Sequence, residues 1–230
     1  MLVDLHVHSA LSACAENIMS PRRIVRQAVE KGVKVLALTD HNASGHVSAA
    51  RRLGGQLGVT VFPAMEVTSR EDAHLLAFFP DEESLFSFQA LVDAHLPDFA
   101  GLPAGDQVLY DERDEIIDID TKPRQFGLDL GVTRLVEEIH QRGGRAVPSH
   151  IHRPRFSLTS QLGFIPPDSG FDAVELDWRE WRRDHWRVGG RCDGYPVITG
   201  SDAHVLNDVG AHAMSVPEND RDVSRFFDHL

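Results

Sequence analysis

Short apolar runs closed by turn residues recur along the chain: Leu2 to Val7, Val33 to Leu38, Val59 to Ala64, His74 to Phe79, Arg145 to Pro148, Phe171 to Leu176 and Pro196 to Thr199. Their lengths and borders suit strands, about seven in all. Runs apolar on both faces predict parallel strands buried under helices. Helical spacing fills several of the intervals. In Ser20 to Val29, Ser20 caps and Pro21 occupies the first turn. In Val132 to Gln141, Leu135, Val136 and Ile139 share one stripe, and Gly143-Gly144 end it. This alternation predicts an α/β fold. Polar residues gathered at the strand exits suit a barrel whose C-terminal rim carries a site.

One stretch breaks the alternation. Leu96 to Gly131 carries Pro97, Gly101, Pro103 and Gly105, then the acidic run Asp111-Glu112-Arg113-Asp114-Glu115. It is too long for a plain connection. Val108-Leu109-Tyr110 and Ile116-Ile117 flank the acidic turn and predict a small hairpin, either a lid over the barrel mouth or a solvated insertion with no catalytic role. A chain of 230 residues, 42% hydrophobic and 25% charged, suits one large domain. Its formal charge of −12, from 35 Asp and Glu against 23 Lys and Arg, repels phosphate backbones and argues against broad nucleic-acid binding. Bound cations would reverse that sign locally. Cys14 and Cys192 are too few for a disulfide framework, and the opening strand has no basic and apolar leader, so a reducing cytoplasm is the expected compartment. No apolar stretch approaches the roughly 20 residues needed to cross a bilayer.

The strand exits carry the chemistry. In Met1-Leu2-Val3-Asp4-Leu5-His6-Val7-His8-Ser9, a strand points His6 and His8 to one side and Leu5 and Val7 to the other. Neutral imidazole ligates zinc, manganese or iron, and a His-x-His pair supplies two ligands without further folding. Thr39-Asp40-His41-Asn42, Glu66, His74, Ser149-His150 and Gly200-Ser201-Asp202-Ala203-His204 lie at or near the ends of further apolar runs. Burying so many imidazoles and carboxylates is costly without a cation, so a metal site is expected. The isolated histidines His46, His95, His140, His185, His212 and His229 read instead as hydrogen-bonded core or surface residues.

Taken in order, Asp4-Leu5-His6-Val7-His8-Ser9, Leu38-Thr39-Asp40-His41-Asn42, Glu66, His74, His150 and Gly200-Ser201-Asp202-Ala203-His204 resemble the motifs of the PHP (polymerase and histidinol phosphatase) family. The resemblance runs from residue 4 to residue 204. It implies a distorted (β/α)7 barrel with two or three divalent ions at its C-terminal rim, residues 1–230 forming one domain and 96–131 an insertion within it. It puts His6, His8, Glu66 and Asp202 on one metal and Glu66, His74 and His150 on a second. Glu66 then bridges, a role that suits a side chain with two anionic oxygens. His41 and His204 would hold a third ion. The family's remaining third-site ligand is usually a His or Asp shortly after the His-x-His, whereas this chain has Ala13, Cys14 and Glu16 there, so Glu16 or Cys14 is the expected substitute. Asp40 reads as an outer group that orients an imidazole. Glu66, Asp202, His204 and Asp40 form the expected catalytic set. Amidohydrolase-type barrels also begin with His-x-His, but they typically add a bridging lysine where Glu66 stands here.

Such a cluster suits phosphoester hydrolysis. Arg153 and Arg155, which closely follow His150, are the expected phosphate clamp, a solvated basic loop being the alternative. His204 or His152 would protonate the leaving group. Asp177 to Arg187, with Trp178, Trp181 and Trp186 among four arginines, reads as an amphipathic outer helix, with nucleobase stacking as its other use. Glu175, at a strand end, either faces the mouth or pairs with an arginine. The expected function is a metal-dependent phosphoric ester hydrolase using manganese, iron or zinc on a small phosphomonoester, a nucleotide or a histidinol phosphate-like metabolite. A single-strand nuclease of the same family, and a barrel that keeps its metal as a regulatory or partner-binding module, are the alternatives.

Overall fold

The computed structural model describes residues 1–98, 105–166, 168–177, 191–217 and 221–230. In chain order its elements are β1 (Leu2–Val7), α1 (Pro21–Glu30), β2 (Val33–Leu38), α2 (Val47–Leu57), β3 (Thr60–Phe62), β4 (Ala64–Thr68), β5 (His74–Phe78) and α3 (Glu82–Ala94). A hairpin of β6 (Val108–Tyr110) and β7 (Ile116–Ile119) follows, then α4 (Val132–Gln141), β8 (Arg145–Pro148), α5 (Leu158–Leu162), β9 (Val174–Glu175), β10 (Arg191–Cys192), β11 (Tyr195–Ile198), β12 (Met214–Ser215) and α6 (Val223–Asp228). Helix starts follow local chemistry. Ser20 Oγ accepts from Arg23 N at 3.3 Å ahead of Pro21, and Ile24, Val25 and Ala28 then share the buried face of α1.

The strands lie in three main sheets, in the orders β12-β1-β2-β3, β4-β5-β8 and β10-β11-β9. The expected parallel pairing holds for β1-β2-β3 and for β9-β11. It fails for β5, which runs antiparallel to both β4 and β8. The short turn from Ser69 to Ala73 joins β4 directly to β5, and only antiparallel neighbours can be joined that tightly. The expected strand from Val59 to Ala64 also ends early. Pro63 has no N–H to give a ladder, so β3 stops at Phe62, and a new strand, β4, begins at Ala64 with Glu66 at its centre.

Backbone contacts cross the seams between the sheets. Val7 pairs with Ala203 and His41 with Glu66, both in parallel, while Asp172 N donates to Ala146 O and Ile151 N to Glu175 O. Beneath these seams one apolar cluster gathers Val3, Leu5, Val35, Ala37, Phe62, Ala64, Leu76, Phe78, Val147 and Ile198 from all three sheets, closed by Phe226 and Phe227 of α6. A second cluster packs α1, α2, α3 and α4 against the outer faces of the strands. Among the described residues no helix is long and apolar enough to cross a membrane.

Candidate metal centre

His6 and His8 sit where β1 slips against β2. Asp4 faces Leu36 but Val7 faces Leu38, and the extra residue makes a bulge that re-aims the side chains around it. A Cβ on Gly200 would come within 2.5 Å of the His6 Cβ, so only glycine lets the 200–204 segment pass this close. Asp202 (φ 49°) and His150 (φ 33°) occupy the left-handed region. That conformation costs a non-glycine residue on the order of 1–3 kcal/mol and persists only where the surroundings enforce it.

These devices converge on Glu66. Its Oε1 lies 3.5 Å from His6 Nε2, 3.2 Å from His74 Nδ1 and 3.5 Å from His150 Nε2. Its Oε2 lies 3.5 Å from His8 Nε2 and 3.1 Å from His41 Nδ1. Asp202 Oδ1 lies 3.3 Å from His6 Nε2 and 3.1 Å from His8 Nε2. Three groups bring ligand atoms within 4.8 Å of one another: His6, His8 and Asp202; His41, Glu66 and His74; and His8, His41 and His204.

Hydrogen bonds to the far side of three of the rings set their tautomers. His6 Nδ1 donates to Glu175, 2.9 Å from Oε1 and 3.0 Å from Oε2, and His204 Nδ1 donates to the Asp202 carbonyl at 2.8 Å. His8 Nδ1 lies 3.2 Å from Ser12 Oγ. Each bond leaves Nε2 bare, as in imidazoles that ligate metals. The bare nitrogens of His6 and His8 are only 3.2 Å apart, an arrangement that a proton or cation between them must stabilise. Both oxygens of Glu66, with Nδ1 of His41 and His74, are buried without a hydrogen-bond partner among the described residues. Unpaired buried polar atoms are costly. A cation satisfies them, and the His and carboxylate donor set fits a divalent ion.

The electrostatics agree. Burial would raise the Glu66 carboxyl, but the imidazoles of His74 and His6 hold it well below the usual carboxylate range. Asp202 is likewise held low against burial by His6 and His8. Burial together with neighbouring His204 and His41 drives His8 well down, whereas Glu175, Asp202 and Glu66 outweigh burial and raise His6.

All the histidines expected as ligands meet here, as do Glu66 and Asp202. Glu16 does not: its side chain is exposed and belongs to none of the three groups, because its backbone is turned by the pairing of Glu16 N with His204 O at 2.9 Å. Cys14 is exposed as well and belongs to none of the three groups, but it lies beside His204 and His41. Desolvation would raise its thiol, but hydrogen bonds with His204 and His41 bring it down to about 7. Asp40 stands behind the ligands, accepting from Ser9 N at 2.7 Å, Ser9 Oγ at 2.5 Å and Ser12 Oγ at 2.6 Å. Arg153 Nη2 donates to Asp202 Oδ2 at 2.6 Å and to Asp177 Oδ2 at 3.3 Å. Arg155 is exposed. His152 turns away, lining with Thr159, Phe164 and Tyr195 a neighbouring cavity of about 710 Å³. The tryptophans and arginines expected in an outer helix lie outside the described residues.

Of the two readings of Glu175, the one that has it face the mouth agrees with its contacts. Among the described residues it pairs with His6 and with His150 N (2.9 Å) and with no arginine, and a lone glutamate in an apolar run carries no motif.

Comparison with known proteins agrees with this geometry. The PHP domain matches residues 4–128 and a PHP-associated region matches residues 193–230. Over 69 residues the chain is 39% identical to a phosphoribosyl 1,2-cyclic phosphate 1,2-diphosphodiesterase of Eggerthella lenta, a match covering 30% of this chain and 25% of that protein. The lesion-specific endonuclease Q of Pyrococcus furiosus superposes with a TM-score of 0.60 at 18% identity, over 90% of this chain and 49% of its own. A candidate metal-dependent phosphoesterase from Bifidobacterium adolescentis gives a TM-score of 0.59 at 18% identity, over 98% and 94%. The chain thus spans only a part of the cyclic phosphodiesterase and of the endonuclease.

Proposed function

Because the chain belongs to the PHP domain family, we propose that it is a metal-dependent phosphoesterase that hydrolyses a small phosphomonoester, a nucleotide or a histidinol phosphate-like metabolite. One observation carries this reading: Glu66 is wholly buried, has no hydrogen-bond partner on either oxygen among the described residues, and faces a different set of imidazoles with each. That is the geometry a bridging carboxylate requires. Divalent ions held there would lower the pKa of a water, polarise a phosphoryl oxygen and offset charge on the leaving oxygen.

In this reading His6, His8, Asp202 and Glu66 take one ion, Glu66, His74 and His150 a second, and His41, His204 and Cys14 a third. Manganese, iron and zinc all suit the imidazole and carboxylate sites, while a thiolate favours zinc at the third. Asp202 divides its oxygens between the His6–His8 pair and Arg153, so Arg153 both orients Asp202 and stands at the edge of the site to meet a phosphate oxygen. Arg155 extends the positive edge. Where it is not committed to the third ion, His204, partly exposed on the open side, is the better placed of the two candidate acids. Asp40 orients the ligands from behind.

The three sheets are best read as arcs of one distorted seven-stranded barrel, with β1, β2, β3–β4, β5, β8, β9 and β11 as its staves. The backbone bonds across all three seams and the single apolar cluster fed by every arc support this. Residues 1–230 then form one domain with 96–131 inserted, and the two free cysteines suit a reducing cytoplasm.

The net charge of −12 favours a small substrate over a polynucleotide. The test is phosphate release by manganese-, iron- and zinc-reconstituted protein on nucleoside monophosphates, histidinol phosphate, sugar phosphates and short oligonucleotides, with His6→Ala as control. Turnover of a small monoester that the control loses is expected. Turnover of oligonucleotides alone would make the protein a nuclease, and silence despite full metal loading would favour a regulatory module.

A further inference from the structure

An unbroken run of hydrogen bonds joins the hairpin to a proposed ligand through His46, which the sequence offers only as an ordinary core histidine. Tyr110 N–H, on β6, donates to His46 Nε2 at 2.7 Å. An amide can only donate, so Nε2 is unprotonated and the imidazole proton sits on Nδ1, 2.7 Å from Ser9 Oγ, to which it donates. Ser9 Oγ–H passes to Asp40 Oδ2 at 2.5 Å, and Ser12 Oγ–H takes the other oxygen at 2.6 Å. Ser12 Oγ is then left to accept from His8 Nδ1–H at 3.2 Å, and His8 Nε2 is left bare toward His6 and Asp202. Asp40, a carboxylate, only accepts, so it fixes the direction of both serine hydroxyls and, through Ser12, that of His8. His8, Ser9, Ser12 and His46 are fully buried and Asp40 almost so, which keeps bulk water from competing for any of the links.

From this juxtaposition we infer that His46 is a positioning residue of the metal centre: through Ser9 it holds Asp40, and with it Ser12 and the ring of His8, in place, and the Tyr110 amide of the hairpin fixes His46. The inference rests on the metal-centre reading given above. It makes residues 108–119 a strut of the site and not a lid. The hairpin is tied down accordingly, with Val108 N on Ala10 O at 2.7 Å, Ser20 Oγ on Asp114 Oδ1 at 2.5 Å and Arg22 Nε on Glu112 O at 2.6 Å. Burial also keeps His46 neutral, its pKa pushed down to about 4 although Asp40 works to raise it.

The experiment measures zinc and manganese dissociation constants of the full chain by competition with a chelator, and reads the His8 tautomer from its imidazole ¹⁵N shifts. Ser12→Ala, which removes the direct partner of His8, is expected to weaken binding of one equivalent by roughly 10–100-fold, and His46→Phe by about tenfold, the lower end for outer partners. Ser12→Ala should also move His8 toward a mixed tautomer, whereas His46→Phe should lower affinity with the tautomer kept. His46→Gln, whose amide oxygen can accept from Tyr110 N–H, should restore part of the loss. A folded His46→Phe with wild-type cation affinity would overturn the inference. Should that variant not fold, Ser9→Ala cuts the same chain and is read in the same way. A wild-type protein that binds no cation would instead remove the metal-centre reading and this inference with it, a result distinct from equal binding by both proteins.

Discussion

Acid should destabilise this protein through His46, and the size of the effect follows from where that ring sits. His46 is fully buried, and its Nε2 is committed to accepting from the Tyr110 amide, so a second proton would have to break that bond inside the core. Burial lowers its pKa from 6.5 to about 4, the Asp40 carboxylate beyond Ser9 acting weakly in the other direction. The unfolded chain takes up this proton near pH 6.5 and the native protein only near pH 4. Between those values the unfolded state binds more protons, so stability rises with pH across the window and is lost as pH falls through it. At 1.36 kcal/mol per unit, the shift is worth about 3 kcal/mol. In a chain of this size that corresponds to a fall in Tm of roughly 6–12 °C. The assay is denaturation of chelator-treated wild type and His46→Phe between pH 7 and pH 4.5. The variant starts less stable at pH 7, having lost two hydrogen bonds, but loses less on acidification, because the remaining histidines are common to both proteins and cancel. Parallel stability profiles for the two proteins would refute the reasoning.

Other substitutions probe separate parts of the account. Cobalt-loaded protein should show a sulfur-to-cobalt charge-transfer band that Cys14→Ser abolishes and Glu16→Gln leaves intact; the opposite pattern would return Glu16 to the third site. Glu175→Gln, which weakens the acceptor of His6 Nδ1–H, should lower cation affinity by roughly 10–100-fold by calorimetric titration, and unchanged affinity would make Glu175 merely structural. Gly200→Ala drives a methyl into the His6 Cβ and should cost about 1–3 kcal/mol in thermal unfolding, with no cost if the 200–204 segment shifts freely. Arg153→Ala should raise KM for the phosphate substrate, and unchanged kinetics would remove it as a clamp.

What could be read from the sequence was whatever a local pattern encodes. The His-x-His of β1, the Thr39-to-Asn42 turn and the Gly200-to-His204 turn each carry their spacing within a few residues, and the structure brings all of them together. The caps of α1 and the length of α4 were legible for the same reason. Glu66 could be named but not placed. Its strand is hidden because Pro63 splits one apolar run into two strands, and the reversal of β5 rests on a turn that leaves little compositional trace. Ser9, Ser12 and His46 were illegible as site residues because their roles arise from pairings across the fold, and the two readings of Glu175 could not be separated because its partner His6 lies 169 residues away. Spacing alone could not choose between Cys14 and Glu16 either, since both are exposed on the loop after His8 and the difference is that Cys14 lies beside His204 and His41.

The most direct test of the central claim is the number of manganese or zinc equivalents that the purified chain retains after reconstitution and removal of free metal, compared with Glu66→Gln. At least two equivalents in the wild type, with a loss in the variant larger than one ligand accounts for, is the predicted result of a bridging carboxylate. Retention of less than one equivalent by the wild type, or the same content in both proteins, would contradict it.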